Sequence, residues 1–133
     1  MQSALILALV LHVLSGVFWA GSTFVTARGS GDQAKRLFRP QMGAALVAVA
    51  SGAALWLLLH RGTPGIQERL LEAGAVSALL AAAVQAFGAR AMRLASIAGA
   101  PDALATDRAA LSQRIAAALL AITVICMAAA RYA

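Results

Sequence analysis

A histidine, a tryptophan and a threonine share one face of the first long apolar run in this sequence of 133 residues. At helical spacing, His12, Gly16, Trp19 and Thr23 follow one another at one-turn intervals. Polar groups that face lipid are costly, so we expect this stripe to face the interior of a helical bundle. The His12 imidazole then has two interpretations. It is either a neutral ring hydrogen-bonded to a hydroxyl or backbone carbonyl of another helix, or a functional group, namely a ligand to haem iron or copper or a proton relay.

Five further residues could take part in such a site. Trp56 and His60 are one turn apart at the end of the second apolar run, where they are typical of the membrane interface but could also line and ligate a cofactor. Met127 and Cys126 offer soft sulfur ligands for haem or Cu(I), although both are also common core residues. Glu72, near the start of the third run, is suited to capping that helix, to pairing with a nearby arginine, or to facing a cavity.

The composition places these residues in a membrane. Hydrophobic residues make up 62% of the chain and charged residues 12%, whereas soluble domains have about 45–50% and about 25%. A soluble domain of this size could not cover so much apolar surface. The net charge of +6 does not indicate nucleic-acid binding, because the Lys and Arg residues lie in short segments between apolar runs. Cys126 is the only cysteine, so no intramolecular disulfide is expected.

The sequence predicts an all-α integral membrane protein, an antiparallel bundle of four transmembrane helices in a single domain of residues 1–133. A helix needs about 20 mostly apolar residues to cross the hydrocarbon core. Four stretches qualify: about 4–25, 43–60, 70–89 and 115–130. Breaks rich in glycine and proline separate them at 29–32, 62–65 and 99–102. Thr106 before Asp107 predicts the start of the fourth helix.

The distribution of basic residues predicts the orientation. Eight Lys and Arg residues lie in the two connections on one side, against three on the other: Arg28, Lys35, Arg36, Arg39, Arg90, Arg93, Arg108 and Arg114 against Arg61, Arg69 and Arg131. This bias favours both termini outside, in a multi-pass protein of the cell inner membrane. The first run has no basic residue before Arg28, which favours a retained helix over a signal peptide. With this topology the candidate residues fall in the outer half of the bundle, whereas Gln85 falls in the inner half and is left out of the predicted site.

Small residues four positions apart predict close contacts between the helices. Three such series occur: Ala48–Gly52, Ala73–Ser77–Ala81 and Gly16–Ala20. A compact four-helix bundle needs nothing more than such faces, so they do not by themselves indicate a site.

Residues 11–24, LHVLSGVFWAGSTF, resemble the first helix of a loose superfamily. It includes the copper-resistance D-type membrane domains and the four-helix bacterial protoporphyrinogen oxidases, in which a leucine–histidine pair is followed by a tryptophan, a small residue and a glycine. The resemblance implies a four-helix bundle with a buried histidine in the first span, which ligates haem in the oxidases and is associated with copper handling in the others. The positions that match here are His12, with Trp19 and Gly21 as a packing signature. The oxidases also use a lysine in the third helix, but the only lysine here is Lys35, so oxidase activity does not carry over.

These observations favour a bacterial-type inner-membrane protein that binds a redox-active metal centre, with b-type haem ahead of copper. His12 would be the first axial ligand and His60 or Met127 the second, for electron transfer or for a porphyrin- or copper-linked redox step. The alternative is a cofactor-free protein. It would be an accessory subunit docked on other membrane subunits or on its own copies, or a small transporter in which Glu72 matters most. Whether the chain is an enzyme stays open.

Overall fold

In the computed structural model, which describes residues 2–29, 31–59, 65–99 and 101–133, the chain is all-helical. Its four helices are α1 (Gln2–Arg28), α2 (Gly31–Leu59), α3 (Ile66–Ile97) and α4 (Asp102–Ala130). Each is long and apolar enough to cross a membrane. At about 1.5 Å per residue, each is also longer than the hydrocarbon core, which is about 30 Å thick. The predicted number and type of elements are therefore confirmed.

The helices are longer than the predicted spans because the basic segments are themselves helical. Helix α2 begins at Gly31, twelve residues before its predicted apolar span, and passes through Pro40 although proline lacks the N–H that a helix interior needs. Asp32 lies in the first turn, beside the positive end of the helix dipole. Its carboxylate is 3.9 Å from Lys35 Nζ, and an ion pair three residues apart stabilises the exposed start of the helix.

The start of α4 corrects a second prediction. The helix begins at Asp102, with Pro101 as its N-cap residue, and the chain is already helical at Thr106. Proline is favoured at helix starts because it has no N–H to leave unbonded, so Pro101 marks the boundary better than the Thr106 hydroxyl.

The breaks between the helices fall close to the predicted positions. After α3, Gly99 adopts a φ of 69°, the left-handed conformation that glycine provides at helix C-termini, and its N–H donates to the Ser96 carbonyl at 3.2 Å. After α1, the Gly29 N–H donates to the Val25 carbonyl at 3.0 Å. The turn predicted at 62–65 lies outside the described residues except for Gly65, the N-cap residue of α3.

The helices run antiparallel, and each of α1 and α3 contacts both α2 and α4. Helices α2 and α4 also meet across one diagonal. On the other diagonal, side-chain hydrogen bonds from Gln85 to Trp19 and Thr23 join the described parts of α3 and α1. The core is built mainly from alanine around one indole: Trp19, Ala45, Ala48, Ala78, Ala81, Ala116 and Leu120. The large apolar side chains point outward instead, among them Val17, Leu57 and Phe87, as expected of a bundle surrounded by lipid.

The two ends of the bundle differ in charge. The basic end is where α1 and α3 end and α2 and α4 begin. The terminal end is the opposite one, where α1 begins at Gln2 and α4 ends at Ala130. The eight basic residues of the first and third predicted connections all lie on helix segments near the basic end.

The predicted small-residue contacts are confirmed in part. Ala48 is buried, and a Cβ placed on Gly52 would lie 3.0 Å from Cε1 of His12, so the imidazole fills the space that this glycine leaves. Ser77 and Ala81 are buried in the contact of α3 with α4. Gly16 is a correction, since a Cβ added there would meet nothing within 4 Å. Ala73, the first residue of its series, is exposed because it lies off the buried face of α3.

Candidate functional site

The polar stripe of α1 faces inward, as predicted. Trp19 is 2% exposed and Thr23 is fully buried, while His12 is half-buried against α2. On the opposite face, Leu9 and Val17 are 49% and 68% exposed. One face of α1 therefore carries all three candidate polar groups into the bundle.

The His12 ring is held by α2. Its Nδ1 lies 2.8 Å from the Ala48 carbonyl oxygen and 3.5 Å from the Ser51 hydroxyl. A carbonyl oxygen can only accept, so Nδ1 carries the hydrogen and donates it to Ala48. The Ser51 hydroxyl in turn donates to the Val47 carbonyl at 2.6 Å within its own helix. This is the hydrogen bond to a backbone carbonyl of another helix that the first interpretation of His12 predicts.

The same hydrogen bond determines the chemistry of the other ring nitrogen. With the hydrogen on Nδ1, the neutral His12 ring carries its lone pair on Nε2, the nitrogen that is free to bind a metal or accept a proton. Histidines that ligate metals usually donate their second nitrogen to a carbonyl or carboxylate, which orients the ring and raises the basicity of the ligating nitrogen. The Ala48 contact is therefore compatible with both interpretations of His12.

Helix register gives Met127 about the same depth in the bundle as His12. Thr26 Oγ1 donates to Gln113 Oε1 at 3.1 Å, which sets the register of α1 against α4. Because these helices are antiparallel, the residue fourteen before Thr26 is level with the residue fourteen after Gln113, and these are His12 and Met127. Met127 is half-buried, and its Cγ would lie 3.5 Å from a Cβ on Gly74 of α3.

The other predicted site residues are more dispersed. Cys126 is a half-buried free thiol whose Cβ would lie 3.3 Å from a Cβ on Gly74, so it packs against α3. Trp56 is half-buried near the end of α2. Glu72 is exposed, which corrects the expectation that it could face a cavity, and the N-terminus of α3 is instead capped by Glu68, whose carboxylate accepts from the Gly65 N–H at 2.8 Å. His60 lies outside the described residues.

Sequence analysis missed the largest polar feature of the interior. Six buried side chains from all four helices form one hydrogen-bonded cluster between the His12 level and the basic end, which we call the amide cluster: Trp19, Thr23, Thr26, Gln41, Gln85 and Gln113. None of the six is more than 4% exposed. Gln85, left out of the predicted site, is at its centre and joins α3 to both α1 and α4.

The indole determines how every amide in this cluster is oriented. Trp19 Nε1–H can only donate, so the Gln85 atom 2.8 Å away must be its carbonyl oxygen. The Gln85 nitrogen then donates to Thr23 Oγ1 at 2.9 Å and to Gln113 Oε1 at 3.0 Å. The Gln113 nitrogen in turn faces Gln41 Oε1 at 3.4 Å.

The circuit closes on α1. The Gln41 nitrogen donates to Thr26 Oγ1 at 3.2 Å. The Thr26 hydroxyl lies within reach of Gln113 Oε1 at 3.1 Å and of the Ser22 and Thr23 carbonyls at 3.0 Å each. Each amide thus uses both its oxygen and its nitrogen inside the cluster, which stabilises one register of the four helices.

The cluster has no titratable member. All buried polar side chains among the described residues are Ser, Thr or Gln. A relay of protons through protonated and deprotonated side chains therefore has no group to carry it at this level. The side chains with nitrogen or sulfur donors for a metal, His12, Cys126 and Met127, are half-buried and lie nearer the terminal end.

A shallow apolar groove runs along α1 and α2 beside His12. Its volume is about 330 Å³, and its walls are mostly alanine and leucine side chains, with Ser51 as the polar group: Ala4, Leu7, Ala8, Leu11, Val47, Ala50, Ser51 and Ala54. Sites for small molecules have volumes of about 300–1,000 Å³, so the groove is at the lower end of that range.

Fold and interior together define a class of protein: an antiparallel bundle of four helices of membrane-crossing length, with an uncharged polar cluster and one inward-facing histidine in its described part. Comparisons of the chain with protein-family models, with curated proteins and with solved structures give no match. The resemblance carried by residues 11–24 therefore stays a prediction.

Proposed function

We propose that this chain is a multi-pass inner-membrane protein that binds a redox-active metal centre, with haem b ahead of copper, in the half of the bundle nearer the terminal end. His12 is the first ligand. The observation that carries the proposal is the 2.8 Å hydrogen bond from His12 Nδ1 to the Ala48 carbonyl, because it leaves Nε2 as the basic nitrogen.

Met127 is the second ligand that the register favours. Counting along both helices from the Thr26–Gln113 hydrogen bond puts it at about the depth of His12 on the adjacent α4. Its thioether is a recognised partner of histidine on haem iron and a soft ligand for Cu(I). His60 stays the alternative predicted from the sequence. Trp56 and Cys126 are then neighbours of the centre rather than its first ligands.

Bound haem would supply one-electron redox chemistry to the membrane interior. The chain itself would orient the imidazole through Ala48 and limit access of water through the apolar walls of α1 and α2. Burial of this kind and the identity of the axial ligands are the means by which proteins set the reduction potential of haem.

The test is the absorption spectrum and the iron and copper content of protein purified in detergent. Wild type should carry about one metal centre per chain, and His12→Ala should lose it while staying folded. Ser77→Ala is the matched control, because it also removes an interhelical hydrogen bond to a backbone carbonyl, that of Leu119 at 2.7 Å, without removing a metal ligand. Wild-type protein free of iron and copper would overturn the proposal.

A cofactor-free accessory subunit is the second candidate, and one observation favours it. The amide cluster satisfies its own hydrogen bonds without a cofactor, so the interior is stable as it is. The two candidates separate in the same experiment. A subunit of this kind would be colourless, and its His12→Ala variant would lose stability but no metal.

A further inference from the structure

The three glutamines of the amide cluster provide a common reference level for the basic end. Gln85 bonds to Gln113, and Gln113 bonds to Gln41, so the three residues are level on α3, α4 and α2. Five residues from each glutamine toward the basic end there is an arginine, which follows Gln85 in the sequence and precedes Gln41 and Gln113. These arginines are Arg36, Arg90 and Arg108.

Because the spacing is the same on each helix, the three arginines lie on one level, about 7.5 Å beyond the glutamines at 1.5 Å per residue. Five residues rotate a side chain by about 140° at 3.6 residues per turn. The glutamines point into the bundle, so the arginines point away from it. All three arginines are exposed, as this geometry requires.

These guanidinium groups have no carboxylate partner among the described residues. The one ion pair within 4.0 Å in that part of the chain joins Lys35 to Asp32. Arg114, one residue from Gln113, reaches back to the Ala27 carbonyl with its Nε at 3.4 Å, and it is also exposed. The basic end therefore presents a belt of cations with free hydrogen-bond donors.

Exposed apolar side chains lie next to this belt, one turn farther from the basic end along the helices. Phe87 precedes Arg90 by three residues, and Leu111 follows Arg108 by three. The register of Gln85 with Gln113 places Phe87 and Leu111 on one level, about one turn deeper than the arginines. They are 69% and 57% exposed, so the outer surface changes from cationic to apolar within one helical turn.

We propose that the level of Arg36, Arg90 and Arg108 binds the phosphate groups of anionic glycerophospholipids, whose acyl chains lie along the exposed apolar side chains such as Phe87 and Leu111. Guanidinium groups bind phosphate through paired hydrogen bonds, and the adjoining apolar surface matches an acyl chain rather than a free anion. This inference is independent of the metal centre.

The experiment measures lipid binding to detergent-solubilised protein by native mass spectrometry. Phosphatidylglycerol is the anionic probe, and phosphatidylcholine with the same acyl chains is the neutral one. Wild type should bind phosphatidylglycerol about 25-fold more tightly, about fivefold for each of two arginines at the headgroup. Each cation near an anionic headgroup contributes about fivefold, so Arg90→Gln/Arg108→Gln should remove most of this preference, and Arg90→Lys/Arg108→Lys should keep part of it.

The matched control is Arg69→Gln/Arg131→Gln. It removes the same charge, but at the terminal end, from α3 and from the residue after α4, and it should keep the preference. Equal affinity of wild type for both lipids would overturn the proposal, as would equal losses in the two double glutamine variants. Displacement of phosphatidylglycerol by millimolar inorganic phosphate would also overturn it, because the site would then be one for a free anion.

Discussion

Replacing Trp19 by phenylalanine tests whether the indole organises the amide cluster. The substitution removes one donor and leaves Gln85 Oε1 without its 2.8 Å partner at a position 1% exposed. An unsatisfied buried acceptor costs about 1–3 kcal/mol, and hydrogen bonds between helices in lipid contribute at most about 1.7 kcal/mol. We therefore expect a loss of about 1–2 kcal/mol from the hydrogen bond, with up to about 1 kcal/mol more from the smaller ring.

The assay is reversible unfolding in mixed micelles, followed by far-UV circular dichroism, in a double-mutant cycle with Gln85→Leu. Trp19→Phe and Gln85→Leu each leave partners unpaired, but the double variant removes the Trp19–Gln85 contact altogether. The double variant should be more stable than additivity predicts by about 1 kcal/mol. Trp56→Phe is the control, since Trp56 lies on α2 outside the amide cluster and should show no coupling to Gln85→Leu. Additive losses at Trp19 and Gln85 would refute the reasoning.

Two further predictions concern packing and topology. Gly88→Ala should destabilise the bundle by about 1–3 kcal/mol, because the new Cβ would lie 2.7 Å from Cβ of Ser112. Gly16→Ala, with nothing within 4 Å of the new Cβ, should instead stabilise its helix by about 0.5–1 kcal/mol. Thermal unfolding of both variants checks the difference, and equal effects would contradict the close approach of α3 and α4. A reporter fused after Ala133 should face the periplasm and one inserted near Gly31 the cytoplasm, and reversed or mixed labelling would contradict the predicted orientation.

The number of helices and the inward face of α1 could be predicted from the sequence because single physical constraints determine them. Backbone groups must be satisfied within lipid, so each long apolar run becomes a helix. The polar stripe of His12, Trp19 and Thr23 avoids lipid only if it faces the other helices, and in the structure it does. Both arguments need only local spacing along the chain.

The helix starts and the amide cluster could not be predicted in this way. Pro40 and the basic residues around it are typical of a connection, so the sequence predicts Gln41 outside the second apolar span, although α2 passes through it. The bonds of Gln113 to Gln41 and Gln85 depend on the register between helices, which follows from the actual helix starts. A signal was nevertheless present, since a buried glutamine such as Gln85 in an apolar span needs partners of its own kind.

His12→Asn tests the central proposal most directly. The asparagine Nδ2 stands where the histidine Nδ1 does, so it keeps a donor for the Ala48 carbonyl while Nε2 is lost. The measurement is the iron and copper content and the absorption spectrum of the purified variant beside wild type, normalised to folded protein. A metal centre present in wild type and absent from a stable His12→Asn protein is the predicted result. A variant that keeps the wild-type spectrum and metal content would show that Nε2 of His12 is not the ligand and contradict the account.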